Sequence, residues 1–353
     1  MPHAIKHLGL IIIIAVGLST LAIAQQEQDS HQQHEQKHHE QEQQALASIY
    51  DNVLQKNANI ALNSCQQLAT TLQQSTAGVR SQTIDEHFKD LALNWKKVEA
   101  TYIAGDFDVH VIDTPRYIDI FHIGNENIHE QMQKVLSSHS KPEVALFKNS
   151  YKTINALEVV LYQDEHLNQR DLHIAHAISQ HICQHLDTIK HTYQHKKTDY
   201  LSQPKRSLSK IINTLANQSH FLKEWRIADV AGLSKKYQNN PDKKRAEFYL
   251  SGLSVNAIDA ILQAQSELID QQDYSNLVDI TQLYHAQKPL HDNQKLLKDA
   301  RHQIQHLTID ELAMDNHKST QLYDTIHQLQ IGYYQHLIHA LPIQPVILEA
   351  DGD

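Results

Sequence analysis

The sequence holds 353 residues, 41% of them hydrophobic, with a formal net charge of -10. That is chain enough to bury a substantial core, and a length of about two domains at roughly 150 residues each. The acidic balance, with no basic block, argues against a nucleic-acid partner and gives no pull toward anionic lipid, while remaining compatible with cations.

Residues 1–24 open with a weakly basic start (His3, Lys6, His7), continue as an apolar run from Leu8 to Leu18, and finish on Ala22-Ile23-Ala24. This pattern predicts a secretory signal peptide cleaved after Ala24. An uncleaved anchor is the competing reading, because the apolar run nearly reaches spanning length. No cysteine follows the run, so lipid attachment there is not available. The expected product is a protein of the periplasm or cell envelope with no stable membrane insertion. Residues 25–44 (QQEQDSHQQHEQKHHEQEQQ) carry no apolar side chain to bury, which predicts a disordered His/Gln-rich segment. On a flexible chain His31, His34, His38 and His39 would capture zinc, copper or nickel weakly.

Beyond residue 44 the apolar spacing is helical nearly everywhere. Ala61, Cys65, Leu68 and Leu72 share one face of a first helix over 45–74. Thr83 and Glu86 have capping-box spacing and predict the start of a second helix, ended by Gly105-Asp106. A loop through Pro115 leads to helices over 126–137 and 142–162, and a long helix over 171–202 follows. Pro204 cannot continue that helix and marks the predicted boundary between two bundles, 45–203 and 204–343. In the second half Thr308 and Glu311 again have capping-box spacing, and the last long helix carries Leu322, Ile326, Leu329, Tyr333 and Leu337. Residues 344–353 read as an acidic tail. The predicted fold class is all-α, two helical bundles in tandem. Cys65 and Cys183 both lie in helical patterns, where two free buried cysteines are the favoured expectation over a single disulfide.

The polar side chains concentrate between Trp95 and Glu165. Asn155 and Glu158 sit at i and i+3, on one face of a helix. Asp119 and His122 repeat that spacing if their segment is helical, Asn125 and Glu126 follow, and Glu99 lies four residues beyond Trp95. Carboxylates, an amide and an imidazole converging on one point would make a metal site: iron or zinc, of undetermined identity. The structural alternatives are an arginine partner for Glu158, a pairing of Arg116 with Asp113 or Asp119, and a core role for Trp95. His173, His181, His185, His191 and His195 on the 171–202 helix read as compositional surface histidines. Arg245, Glu247 and Ser251 carry no chemistry beyond packing and capping. No nucleophilic triad, H-E-x-x-H or C-x-x-C pattern is present.

The stretch Thr153-Ile154-Asn155-Ala156-Leu157-Glu158, followed by Val159-Val160-Leu161-Tyr162, resembles the G-x-H-x-x-E helix and apolar run of the imelysin family of secreted bacterial helical proteins. Thr153 and Asn155 stand where that motif has Gly and His. The resemblance implies an all-α tandem-bundle fold, a role in iron uptake beside other envelope components, and the metallopeptidase activity by which the family was first described. With the imidazole missing, the leading reading is a non-catalytic metal-binding or metal-uptake protein with its site around Glu158. An imelysin-type metallopeptidase and a peptide- or partner-binding scaffold are the alternatives.

Overall fold

The structure, a computed structural model, describes residue 33, residues 35–124 and residues 126–344. The signal-peptide reading, His31, His34, Asn125 and the tail from residue 345 lie outside the described residues. Of the segment expected to be disordered, residues 35–44 are described and are helical. Gln, Glu and Lys are good helix formers, and Gln36 donates to Glu40 one turn on at 3.0 Å. Local propensity thus forms a helix there without a core residue.

From Ala45 onward the chain is one compact unit. Residues 45–49 are helical and run through a π-helical turn, Tyr50–Gln55, into α1 (Lys56–Gln74). After it come α2 (Gln82–Ala100), α3 (Ile128–Ser137), α4 (Ile154–Tyr162) and α5 (Gln169–His195), with short helical turns between them. The second half holds α6 (Pro204–Phe221), α7 (Ser254–Ile269), α8 (Gln287–Gln305) and α9 (Asn316–Ile331). Among the described residues the only strands are β1 (Gly78–Val79) and β2 (His166–Leu167), an antiparallel pair of two residues each. The all-α expectation holds.

The periodicity that predicted each helix also predicts its buried face. In α1 the fully buried positions include Ala58, Ala61, Cys65 and Leu68, which pack on α2 and α5. Pro204 does begin a new helix at its first turn, as its fixed φ favours. Yet α7 packs against α2 across that point, and apolar residues of both halves form one continuous core.

Local chemistry moved several expected boundaries. Ser81, not Thr83, caps α2 by accepting from the Ile84 amide at 3.3 Å. The expected 142–162 helix is broken: a turn at Asn149–Lys152 precedes Thr153, which caps α4 by accepting from the Ala156 amide. Asn168 and Asp171 form a reciprocal capping box that starts α5, and the predicted box at Thr308 and Glu311 is present.

Three π-helical stretches punctuate the bundle, at Tyr50–Gln55, Leu222–Ala228 and Gly332–Leu337. The second continues α6 and ends, after one α-turn, at Gly232 with φ 70°, where a Cβ would sit 2.8 Å from the Pro241 nitrogen. Only glycine fits that reversal.

Cys65 and Cys183 form a disulfide between α1 and α5, with Cα atoms 5.5 Å apart and a sequence separation of 118. Free cysteines were the expectation; packing α1 on α5 brings the two within bridging distance. A closed loop of that length restricts the unfolded chain strongly. Replacing both cysteines by alanine should lower the unfolding free energy by about 2–5 kcal/mol in a denaturant titration. An unchanged midpoint would mean that the bridge contributes nothing to stability.

Candidate functional site

The centre of the molecule is built around a lysine. Lys96 follows Trp95 on the buried side of α2, and its side chain is 0% exposed. A buried ammonium is tolerated only when carboxylates surround it. Here Nζ donates to Asp119 Oδ2 at 2.6 Å and to Glu99 Oε2 at 2.8 Å, and it lies in contact with Glu247 Oε1. Glu247 comes from the segment before α7, so the lysine ties three parts of the chain together.

Arg226, in the π-helical stretch, completes the network. Its Nε donates to Glu247 Oε2 at 2.7 Å and its Nη2 to Glu99 Oε2 at 3.2 Å. Asp119 receives two further hydrogen bonds, from Trp95 Nε1 at 2.9 Å and from the Phe121 amide at 2.8 Å. Burial pushes the Asp119 carboxyl up, but Lys96 and these donors outweigh it and hold the group well below the usual carboxylate range. Burial likewise opposes the Lys96 charge, and Asp119, Glu247 and Glu99 more than restore it. With two cations facing three carboxylates, one negative charge is in excess. Burial pushes the Glu247 carboxyl up, against the pull of Arg226 and Lys96.

Glu158 lies beside this network but has a different environment. Its partners are the Ser251 amide, at 2.9 Å, and the Ser251 hydroxyl, at 2.7 Å, both on Oε1, together with the Leu250 backbone, rather than a lysine or arginine among the described residues. Burial pushes its carboxyl up to about 7 against these hydrogen bonds, with the charge of Asp119 adding to the rise. Glu158 and Asn155 line a pocket of about 600 Å³ whose walls include Phe121, Phe248, Tyr249 and Leu250, with His129 and Glu130 also bordering it.

Two bulky residues beside the centre adopt left-handed backbone: Phe248 with φ 56°, between Glu247 and Ser251, and His122 with φ 63°. Such conformations cost of order 1–3 kcal/mol each and persist where surrounding contacts fix them. The His122 ring stacks on Trp225 with centroids 4.7 Å apart and planes 3° apart, and its Nε2 lies 2.6 Å from Asp229 Oδ2. Both Trp225 and Asp229 are supplied by the π-helical stretch and the turn after it.

The six residues expected to form a site are therefore distributed over five settings. Asp119 and Glu99 meet, but at Lys96. Glu158 is in the pocket wall. Asn155 uses its Oδ1 to accept the Ile120 amide at 2.8 Å, pinning the loop after Asp119 to α4. His122 points to Asp229, because the short helix Thr114–Ile118 ends before Asp119 and the i, i+3 relation no longer holds. Glu126 is at the surface, paired with Lys148 at 2.6 Å and Ser150 at 2.7 Å. Among the described residues no three His, Cys, Asp or Glu side chains converge so as to hold a metal ion. Arg116 pairs with Asp113, at 3.4 Å on the surface, and leaves Asp119 to Lys96.

Lys96 and Arg226 carried no expectation from the sequence, and Glu247 and Ser251 were expected to serve packing and capping only. The available signals were a lysine on the apolar stripe of α2 and an arginine directly after Trp225, each at a helical position where a solvent-facing charge is out of phase.

Replacing Lys96 by methionine should destabilise the fold by about 3–5 kcal/mol, since it strands buried carboxylates. Chemical denaturation measures this, and a neutral result would show that the network is not coupled to folding. Glu158→Gln should act in the opposite sense. The folded pKa, near 7, lies above the ordinary 4.5. Wild-type stability therefore falls as pH rises through that window, and the variant escapes the loss. The two proteins should be equally stable near pH 4, with the variant firmer by up to roughly 3 kcal/mol at pH 8. A variant weaker at pH 8 would mean that the ionised carboxylate is compensated.

A family model described as imelysin matches residues 54–331. Among solved structures, the chain is similar to an imelysin-like protein from Psychrobacter arcticum, at 17% identity and a TM-score of 0.73, over 87% of this chain and 97% of that one. It is also similar to a protein described as an iron-regulated protein A precursor from Parabacteroides distasonis, at 11% identity and a TM-score of 0.63, over 83% and 93% of the two chains. No curated protein matches.

Proposed function

This chain belongs to the imelysin family, and from that premise we propose that it is a non-catalytic binding protein of the cell envelope that serves uptake of iron or another metal. Its ligand enters the pocket over Glu158. The observation that carries this reading is the state of that carboxylate: buried, held by Ser251 and the Leu250 backbone, in no ion pair among the described residues, and bordering an open volume whose lining also includes Lys244 and Arg245. A buried carboxylate of that kind favours a positively charged ligand, which would supply the missing charge.

The donor set limits what that ligand is. A catalytic zinc needs three protein ligands and an open position. Asp119, Glu99 and Glu247 are engaged by Lys96 and Arg226, and Asn155 by the Ile120 amide. The residues present do not fit a resident catalytic metal, which weighs against the metallopeptidase alternative. They fit a cation that brings its own ligands, as a hydrated or chelated metal does. The apolar walls also suit a peptide with a basic side chain, so the scaffold reading is retained as an outcome of the test.

The envelope location rests on the sequence pattern of residues 1–24 and on the name of the Parabacteroides relative. Among the described residues no helix is long and apolar enough to cross a membrane, and the disulfide suits an oxidising compartment. Weak capture of zinc, copper or nickel by His31, His34, His38 and His39 belongs to the same proposal as a separate, low-specificity site.

Calorimetry on protein lacking residues 25–44, with ferrous, ferric and zinc salts at pH 6 and pH 8, tests the assignment. Binding should tighten from pH 6 to pH 8 with release of a proton, and Glu158→Gln should weaken it roughly tenfold or more while remaining folded. Binding unchanged in that variant would place the site elsewhere. Cleavage of unfolded polypeptide that disappears with Glu158→Ala would establish the peptidase instead.

A further inference from the structure

A second pocket, of about 680 Å³, lies between the C-terminal end of α7 and the middle and end of α8, and it shares no lining residue with the Glu158 pocket. Its α8 side presents His291, Lys295, Lys298, Arg301 and His302. At 100° per residue these five positions fall within an arc of about 120°. The α8 carboxylates Asp292 and Asp299 fall outside that arc, and Asp292 pairs with Lys288 at 2.9 Å.

The cations in the pocket are not consumed by the fold. Lys295 and Lys298 form no ion pair or hydrogen bond among the described residues. Arg301 uses Nε to meet Asp259 Oδ1 at 3.0 Å. The one carboxylate in the lining, Asp270, takes the hydroxyl of Ser266. Complementing the α8 dipole accounts for cations in its last turn, and the charge falls off within that turn. Lys295 sits near the middle of the helix, where no such benefit exists. In a chain of net charge -10, a stripe of one positive sign along a concave surface is a departure that asks for an anion.

We propose that this pocket binds a small multivalent oxyanion, a polycarboxylate or a polyphosphate, held by Lys295, Lys298 and Arg301. Lysines supply point charges and the arginine a planar fork, a combination suited to several oxygens of one ligand. Asp270 opposes the ligand and limits affinity.

The test is calorimetry on the mature full chain at low ionic strength with citrate and with pyrophosphate, using acetate as the monovalent control. A multivalent anion should bind, binding should weaken steeply with added salt, and K295A/K298A should lose roughly tenfold or more with an unchanged melting temperature. Removing the opposing carboxylate in Asp270→Asn should tighten the same anion several-fold. A preference for citrate identifies the carboxylate source and a preference for pyrophosphate the phosphate source. The proposal is overturned if neither anion binds at millimolar concentration, if acetate competes equally, or if the double variant binds as wild type does.

Discussion

The ammonium of Lys96 is the group on which the centre of this molecule depends. It is fully buried, and it is stable there because Glu99 from its own helix and Asp119 and Glu247 from two stretches farther along the chain converge on it. Each carboxylate has a second anchor: Asp119 in the Trp95 indole, Glu99 and Glu247 in Arg226. The ion network therefore joins α2, the loop after residue 118, the π-helical stretch and the approach to α7 into one piece. Apolar packing alone would let these segments slide, whereas an ion pair with a poor dielectric around it is unforgiving of position. The two strained residues, His122 and Phe248, lie beside this network, where other contacts are strong enough to hold them.

That arrangement explains how a helix bearing Thr153 and Asn155 works in place of the family motif. Thr153 acts as an N-cap, its hydroxyl accepting from the Ala156 amide. Asn155 spends its carbonyl on a backbone amide and becomes a brace for the Ile120 loop. Glu158 of the motif forms no ion pair among the described residues, and its donors from Ser251 and the Leu250 backbone orient it without neutralising it. The chemistry has thus moved from a possible ligand pair toward a single carboxylate poised near neutrality at the wall of a pocket.

The all-α class was legible because the apolar stripes of α1, α5 and α6 are long and regular, and long periodic signals survive tertiary context. Helix starts were less legible: Ser81 and Thr83 are both competent caps, and which one accepts depends on where the chain enters the bundle. The break before α4 was hidden because residues 142–162 keep an apolar rhythm through a 3₁₀ turn. The disulfide required knowing that α1 packs on α5, which spacing alone does not say. At the site, Glu158, Asp119 and Glu99 were found by composition, but most partners were not, because Asp119 meets Lys96 across 23 residues and Glu99 meets Arg226 across more than 100, although the i, i+3 pair of Lys96 and Glu99 was open to view. Charge partners that far apart leave no local pattern, and one sequence contains no trace of their proximity.

The account turns on the ionisation of Glu158. Side-chain carboxyl ¹³C NMR of glutamate-labelled protein, compared with Glu158→Gln, isolates that one resonance as pH is varied. A carboxyl titrating near 7, absent from the variant, is what an uncompensated buried group requires. A resonance titrating at or below 4.5 would show that the carboxylate is already neutralised within the fold, and the pocket beside it would lose its claim to be the binding site.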